Sequence, residues 1–83
     1  MNEMVKKEVT VNTELDARQA AFFVQTASKF SSKIQVSIDE KVINAKSIMG
    51  TISLGITSGQ TATIIADGVD EKEAVDEVAA ILE

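Results

Sequence analysis

Ser47 is the residue of this 83-residue chain whose neighbours best suit it to chemistry. It sits in Asn44-Ala45-Lys46-Ser47-Ile48-Met49-Gly50, between an apparent strand end and a short apolar run that closes at Gly55. A serine there reads as a helix N-cap, its oxygen accepting one of the first unpaired backbone N–H groups. Lys46 beside it adds positive charge, so the position favours an anion. A second polar cluster holds Glu14, Asp16, Arg18 and Gln19. Arginine in a helix first turn opposes the helix dipole, at a cost of about a few tenths of a kcal/mol unless it binds an anion. Arg18 therefore reads as an anion or partner contact, as a solvated first-turn residue, or as an ion-pair partner of Glu14.

What the chain lacks narrows the chemistry further. It has no histidine, which excludes imidazole acid/base catalysis, histidine phosphotransfer and histidine metal ligation. It has no cysteine, which excludes disulfides and thiolate metal sites. No nucleophile, base and oxyanion-hole constellation can be assembled and no cofactor loop is present, so the expectation is a binding protein without cofactor or metal, not an enzyme. A net charge of −5 argues against direct contact with nucleic acid, where affinity comes from neutralising phosphates. The apolar runs fall well short of the roughly 20 residues that span a bilayer, and the N-terminus has no signal-peptide core. A cytoplasmic protein is expected, with no membrane contact and one domain over residues 1–83.

Periodicity supplies the elements that must hold these residues. Val5, Val9 and Val11 alternate with Lys6, Glu8 and Thr10, a half-buried strand whose one inward polar residue is Lys7. Asp16 followed three residues later by Gln19 fits a capping box, so a helix of about three turns starts at Ala17, with Ala20, Phe23, Val24 and Ala27 as its apolar stripe and Phe22 exposed. Ile34, Val36 and Ile38 mark a second strand, and Lys41 to Asn44 a third, joined at Asp39-Glu40 as a tight hairpin that lacks the usual glycine. The Ser47 helix has room for about two turns before Gly55, too few to stand alone, so it must lean on the rest of the chain or offer apolar surface to a partner. Thr61 to Ala66 is a fourth strand. Asp70 with Glu73 repeats the capping box, with Val69 and Ala74 as a hydrophobic staple, ahead of a helix carrying Ala74, Val75, Val78, Ala79 and Leu82. The order is βαββαβα, an α+β two-layer open-faced sandwich with three helices on one face of a four-stranded, mostly antiparallel sheet. Its core is expected to hold Val9, Val11, Phe23, Val24, Ala27, Ile34, Val36, Ile64, Val75, Val78 and Leu82.

The run AKSIMG, the SLG that follows it, the earlier VQTASKFSS and this element order together resemble HPr, the phosphocarrier family of the bacterial sugar phosphotransferase system. The resemblance runs the full length and implies an antiparallel sheet of order 1-4-2-3. The family's lysine–serine–isoleucine–methionine–glycine signature is matched in full at Lys46 to Gly50. Its glycine–x–histidine–x–arginine–proline signature is not. Glu14 stands where the family has glycine, Asp16 where it has the phosphoacceptor histidine and Gln19 where it has proline, while Leu15, Ala17 and Arg18 fit.

The resemblance assigns roles that the residues alone leave open. In the family the histidine takes a phosphoryl group from enzyme I and passes it to permease components. Asp16 cannot do that, and remains a helix cap, a fixed charge imitating phosphohistidine, or an acyl-phosphate site, which would normally need a metal-binding acidic cluster. Ser47 becomes the regulated residue, phosphorylated by HPr kinase/phosphorylase, with Arg18 and Lys46 as anion or partner contacts. Ala17, Ala21, Phe22 and Gln25 on the first helix, with Ile48, Met49 and Ile52 on the second, match the family's docking surface, and at least one of the last three is expected to be exposed. Two functions are implied. One is an HPr-like regulator of carbon catabolite control, a corepressor for a LacI-type catabolite-control repressor through phosphorylated Ser47. The other is a degenerate or altered phosphocarrier that occupies partners such as enzyme I or permease components without transferring phosphate, or carries it on Asp16.

Overall fold

The computed structural model describes residues 4–83. The elements are β1 (Val5–Thr10), α1 (Ala17–Ser28), β2 (Lys33–Ile38), β3 (Lys41–Asn44), α2 (Ile48–Leu54), β4 (Thr61–Asp67) and α3 (Glu71–Leu82). They form a four-stranded sheet of order β1-β4-β2-β3, every neighbouring pair antiparallel. Alternation along the strands buries Val9, Ile34, Val36, Ile38, Ala62, Ile64 and Ala66 on the face that receives Phe23 and Ala27 of α1 and Val75, Val78 and Leu82 of α3. Lys7, the inward polar residue of β1, is half-buried and reaches Asp76 of α3, Nζ to Oδ1 3.4 Å.

The β2–β3 hairpin has the two-residue loop expected, with Ile38 opposite Lys41, and Asp39 supplies the left-handed backbone (φ 57°) in place of glycine. Aspartate tolerates that region better than most residues. Among the expected core residues, Val24 is a correction, being only half-buried. The helix turns Thr26 inward between Phe23 and Ala27, which leaves Val24 at the margin of the stripe.

A larger correction concerns the start of α3. Asp70 is its N-cap by position, yet its side chain caps nothing there, and Val69 is 95% exposed, so neither the capping box nor the staple forms. The Asp70 carboxylate instead accepts hydrogen bonds from the backbone N–H groups of Ser31 (2.9 Å) and Ser32 (3.0 Å) and from the Ser32 hydroxyl. Glu71 takes over locally, its Oε1 accepting from Gly68 N–H at 3.0 Å. A Cβ on Gly68, whose φ is 159°, would lie 2.6 Å from Ser32 Cα, so the β4–α3 turn presses directly on the α1–β2 turn. The carboxylate thereby serves three donors from a turn 38 residues away.

These bonds hold the Asp70 carboxyl below its ordinary pKa, the Ser32 hydroxyl contributing most, then Ser31 N–H, with burial opposing. A carboxylate whose folded pKa is depressed stabilises the fold fully above its unfolded value of about 3.9, and that contribution is lost as the pH falls through the lower folded value. Asp70→Asn should therefore be less stable than the parent at pH 7, with the gap closing on acidification below about pH 4. Urea midpoints at the two pH values check this, and an unchanged gap would mean that the ionised carboxylate is not what stabilises the turn.

Candidate functional site

The segment before α1 is fixed by backbone bonds to three other places in the fold. Val11 N–H donates to the Gln60 carbonyl (2.8 Å), Asn12 N–H to that of Leu82 at the end of α3 (2.7 Å) and Leu15 N–H to that of Ile56 (3.2 Å). Asp16 then has extended backbone (φ −73°, ψ −178°) and its Oδ1 accepts from Gln19 N–H at 2.9 Å, the expected N-cap of α1. The reciprocal half of the capping box is missing, because Asp16 N–H is given to the Glu14 carbonyl at 3.2 Å. Asp16, Ala17 and Arg18 are all exposed. Among the described residues the ion pairs are Lys7 with Asp76 and Lys29 with Glu77, so the Arg18 guanidinium is not paired with Glu14.

The cap links two of the positions that depart from the family signature. Gln19 gives Asp16 the backbone N–H that completes the cap. A proline at that place, as in the family signature, has no N–H to give. A proline at residue 19 would therefore remove the donor that the Asp16 cap uses.

Ser47 is the N-cap of α2 (φ −102°, ψ 118°), its Oγ accepting from Gly50 N–H at 3.0 Å, and Gly55 closes the helix in the left-handed conformation (φ 66°). The absence of a side chain on Gly50 matters, since a Cβ there would sit 3.2 Å from Ser47 Oγ. Residues that the sequence did not single out frame the serine on both sides. Asn44 Oδ1 accepts from Lys46 N–H (2.8 Å) while the Asn44 carbonyl accepts from Ser47 N–H (3.0 Å), a tight Asx turn. Buried Thr51 donates its hydroxyl to the Ser47 carbonyl at 2.8 Å. The Asn-x-Lys spacing was a local signal for the first. Lys46, expected near an anion, sends its ammonium to the Phe30 carbonyl at 2.7 Å.

α2 turns Thr51 and Leu54 inward and leaves all three of its other apolar residues at the surface, Ile48, Met49 (70% exposed) and Ile52. α1 packs against α2, and presents Phe22 (55% exposed) and Gln25 with exposed Ala17 and half-buried Ala21. Phe22 and Gln25 also line a groove of about 510 Å³ between α1 and α3, completed by Thr26, Lys29, Glu77, Ala80 and Ile81. Among the described residues no group of three or more acidic side chains is placed to hold a metal ion, and no helix is long and apolar enough to cross a membrane.

The chain matches known proteins over nearly its whole length. Residues 5–83 match the PTS-HPr family, described as the PTS HPr component phosphorylation site. The chain is 51% identical over 82 residues to the HPr-like protein Crh of Halalkalibacterium halodurans, covering 96% of this chain and 98% of that one. Its fold superposes with a TM-score of 0.94 on the phosphocarrier protein HPr of Bacillus anthracis, at 45% identity over 99% of this chain and all of the other. It is similar also to the Bacillus subtilis catabolite repression protein Crh, whose crystal structure is described as a swapped, intertwined dimer (TM-score 0.77, 47% identity, 89% of this chain and 85% of that one). Sheet order, the intact serine motif and the full-length match lead to one conclusion: this chain belongs to the HPr family.

Proposed function

We propose that this protein is a regulator of carbon catabolite control that works through phosphorylation of Ser47 and docking of its α1–α2 surface, and does not carry phosphate on residue 16. The observation that supports it most is the contrast between its two motifs. The Lys46 to Gly50 signature is complete and folded as a capped helix, whereas the phosphoacceptor position holds an aspartate engaged as the cap of α1. Histidine chemistry is excluded by composition, since the chain has none. The likeness to two Crh proteins, one of them described by catabolite repression, favours the same direction.

On this reading HPr kinase/phosphorylase is the modifying partner and a LacI-type catabolite-control repressor the target. Arg18 and the apolar residues Phe22, Ile48, Met49 and Ile52 supply the contact surface. Enzyme I and permease components make at most non-productive contacts, and the protein acts in the cytoplasm as a single domain. The decoy reading keeps the same surface and drops the phosphoserine. Kinase with labelled ATP separates them: the parent should incorporate one phosphoryl group per chain, stable to hydroxylamine, and Ser47→Ala none. No incorporation by the parent would leave the decoy reading in front.

A further inference from the structure

We infer that Lys46 is a positioning residue for Ser47, tying the phosphoacceptor segment to the end of α1, and is not the ligand of the phosphate. The inference rests on Ser47 being the modified residue. Proximity in sequence suggests the opposite, because an ammonium next to a serine is well placed on paper to neutralise a phosphate.

The geometry gives the ammonium another task. Its Nζ lies 2.7 Å from the Phe30 carbonyl oxygen, in a partly buried setting, and among the described residues it is the donor that oxygen has. Phe30 is the residue just past the C-cap of α1, so its carbonyl lies beyond the helical ladder and has no helical partner, close to the negative end of the helix dipole. α1 has no basic residue in its last turn to meet that charge. Lys29, the C-cap, is spent elsewhere, 3.0 Å from Glu77 and over the Phe30 ring. Lys46 thus supplies from 16 residues away the cation that the helix end lacks.

The backbone of Lys46 is held to suit. Its N–H is fixed by Asn44 Oδ1, and the preceding Ala45 N–H donates to the Ile34 carbonyl at 2.9 Å. Lys46 is half-buried, and swinging the ammonium out towards solvent would leave the Phe30 carbonyl without its donor. Beyond Phe30 the chain enters the turn clamped by Asp70, so the tether ends on one of the better-anchored places in the fold. A phosphate on Ser47 instead has the Gly50 N–H within reach, already directed at Ser47 Oγ.

Two measurements on the same variants test this. With phosphoserine installed at residue 47 during synthesis, ³¹P titration reports its second pKa, ordinarily about 6. An ammonium in contact would favour the dianion and hold that value down. Lys46→Met is expected to leave it unchanged within about 0.2 unit, a shift too small for loss of a direct ligand. In the unmodified protein, Lys46→Met should lower amide exchange protection at Phe30, Ala45 and Ser47 by about tenfold, as for loss of a charge-assisted hydrogen bond, with Lys46→Arg restoring most of it. A rise in the phosphoserine pKa of about 0.5 unit or more in Lys46→Met, or unaltered exchange at those amides, overturns the assignment. Because the phosphoserine is placed without the kinase, failure of the kinase to label the parent would sink the regulatory reading and leave this result standing.

Discussion

Replacing Asp16 by histidine is expected to turn a chain that enzyme I and labelled phosphoenolpyruvate leave unlabelled into one that accepts phosphate. The surrounding frame is in place. Leu15 and Asn12 are pinned by backbone bonds to Ile56 and Leu82, residue 16 is exposed at the N-terminus of a twelve-residue helix, and Arg18 is exposed two positions on. A helix N-terminus favours an arriving anion, and a guanidinium can meet phosphate through two parallel bonds. The gain should be incomplete, because the Glu14 carboxylate adds negative charge where the family has glycine. Removing the Asp16 cap should cost about 1 kcal/mol of stability, read as a lower thermal midpoint. Gln19→Pro should then cost less in the Asp16→His chain than in the parent, since only the parent uses the Gln19 N–H for its cap. A parent chain that labels rapidly and loses the label to hydroxylamine would show an aspartyl phosphate and overturn the cap as the sole role of Asp16.

Phosphorylation of Ser47 should raise affinity for the catabolite-control repressor by about two orders of magnitude, near 2.7 kcal/mol, over both the unmodified chain and Ser47→Ala. That is the scale of one or two charge-assisted hydrogen bonds completed in a partly desolvated contact. The added near-dianion falls beside exposed Ile48 and Met49, so a surface that was apolar becomes one a basic pocket can read and an acidic one rejects. The helix itself should change little. The phosphate oxygens can take over the Gly50 N–H that Ser47 Oγ now accepts, and the effect on stability should lie between zero and about 1 kcal/mol of gain. Binding measured by calorimetry at two salt concentrations checks both parts, since the phosphoserine increment should shrink with salt while the apolar contribution should not. Equal affinity for all three proteins would remove Ser47 from the interface.

Legibility in the sequence followed the range of the interaction. The caps at Asp16 and Ser47 could be read directly because donor and acceptor are three residues apart, and the helix geometry alone brings them together. Strand phases were readable for the same reason, alternation being a property of the extended chain itself, and residues such as Val9, Ile34, Val36 and Ile64 are buried as that pattern requires. The sheet order came from the match of whole motifs to a family, since pairing β1 with β4 is a choice among tertiary alternatives that no local pattern ranks.

Asp70 shows where local spacing fails. Its sequence has the same Asp-x-x-Glu form that reads as a cap, yet the fold brings Ser31 and Ser32 within reach, and three donors from the α1–β2 turn outweigh one from its own helix. Lys46 repeats the lesson, adjacent to Ser47 in the chain and bonded to Phe30 in space. On α2 at least one of Ile48, Met49 and Ile52 was expected at the surface, and that all three lie there was decided by the packing that turns Thr51 and Leu54 inward. What the chain determined by itself was the helix caps at Asp16 and Ser47 and the strand phases, along with the exclusion of histidine and thiolate chemistry. Which charged groups are engaged and which apolar residues face outward was decided by tertiary structure, because those outcomes depend on which distant segments arrive to compete for the same donors and the same space.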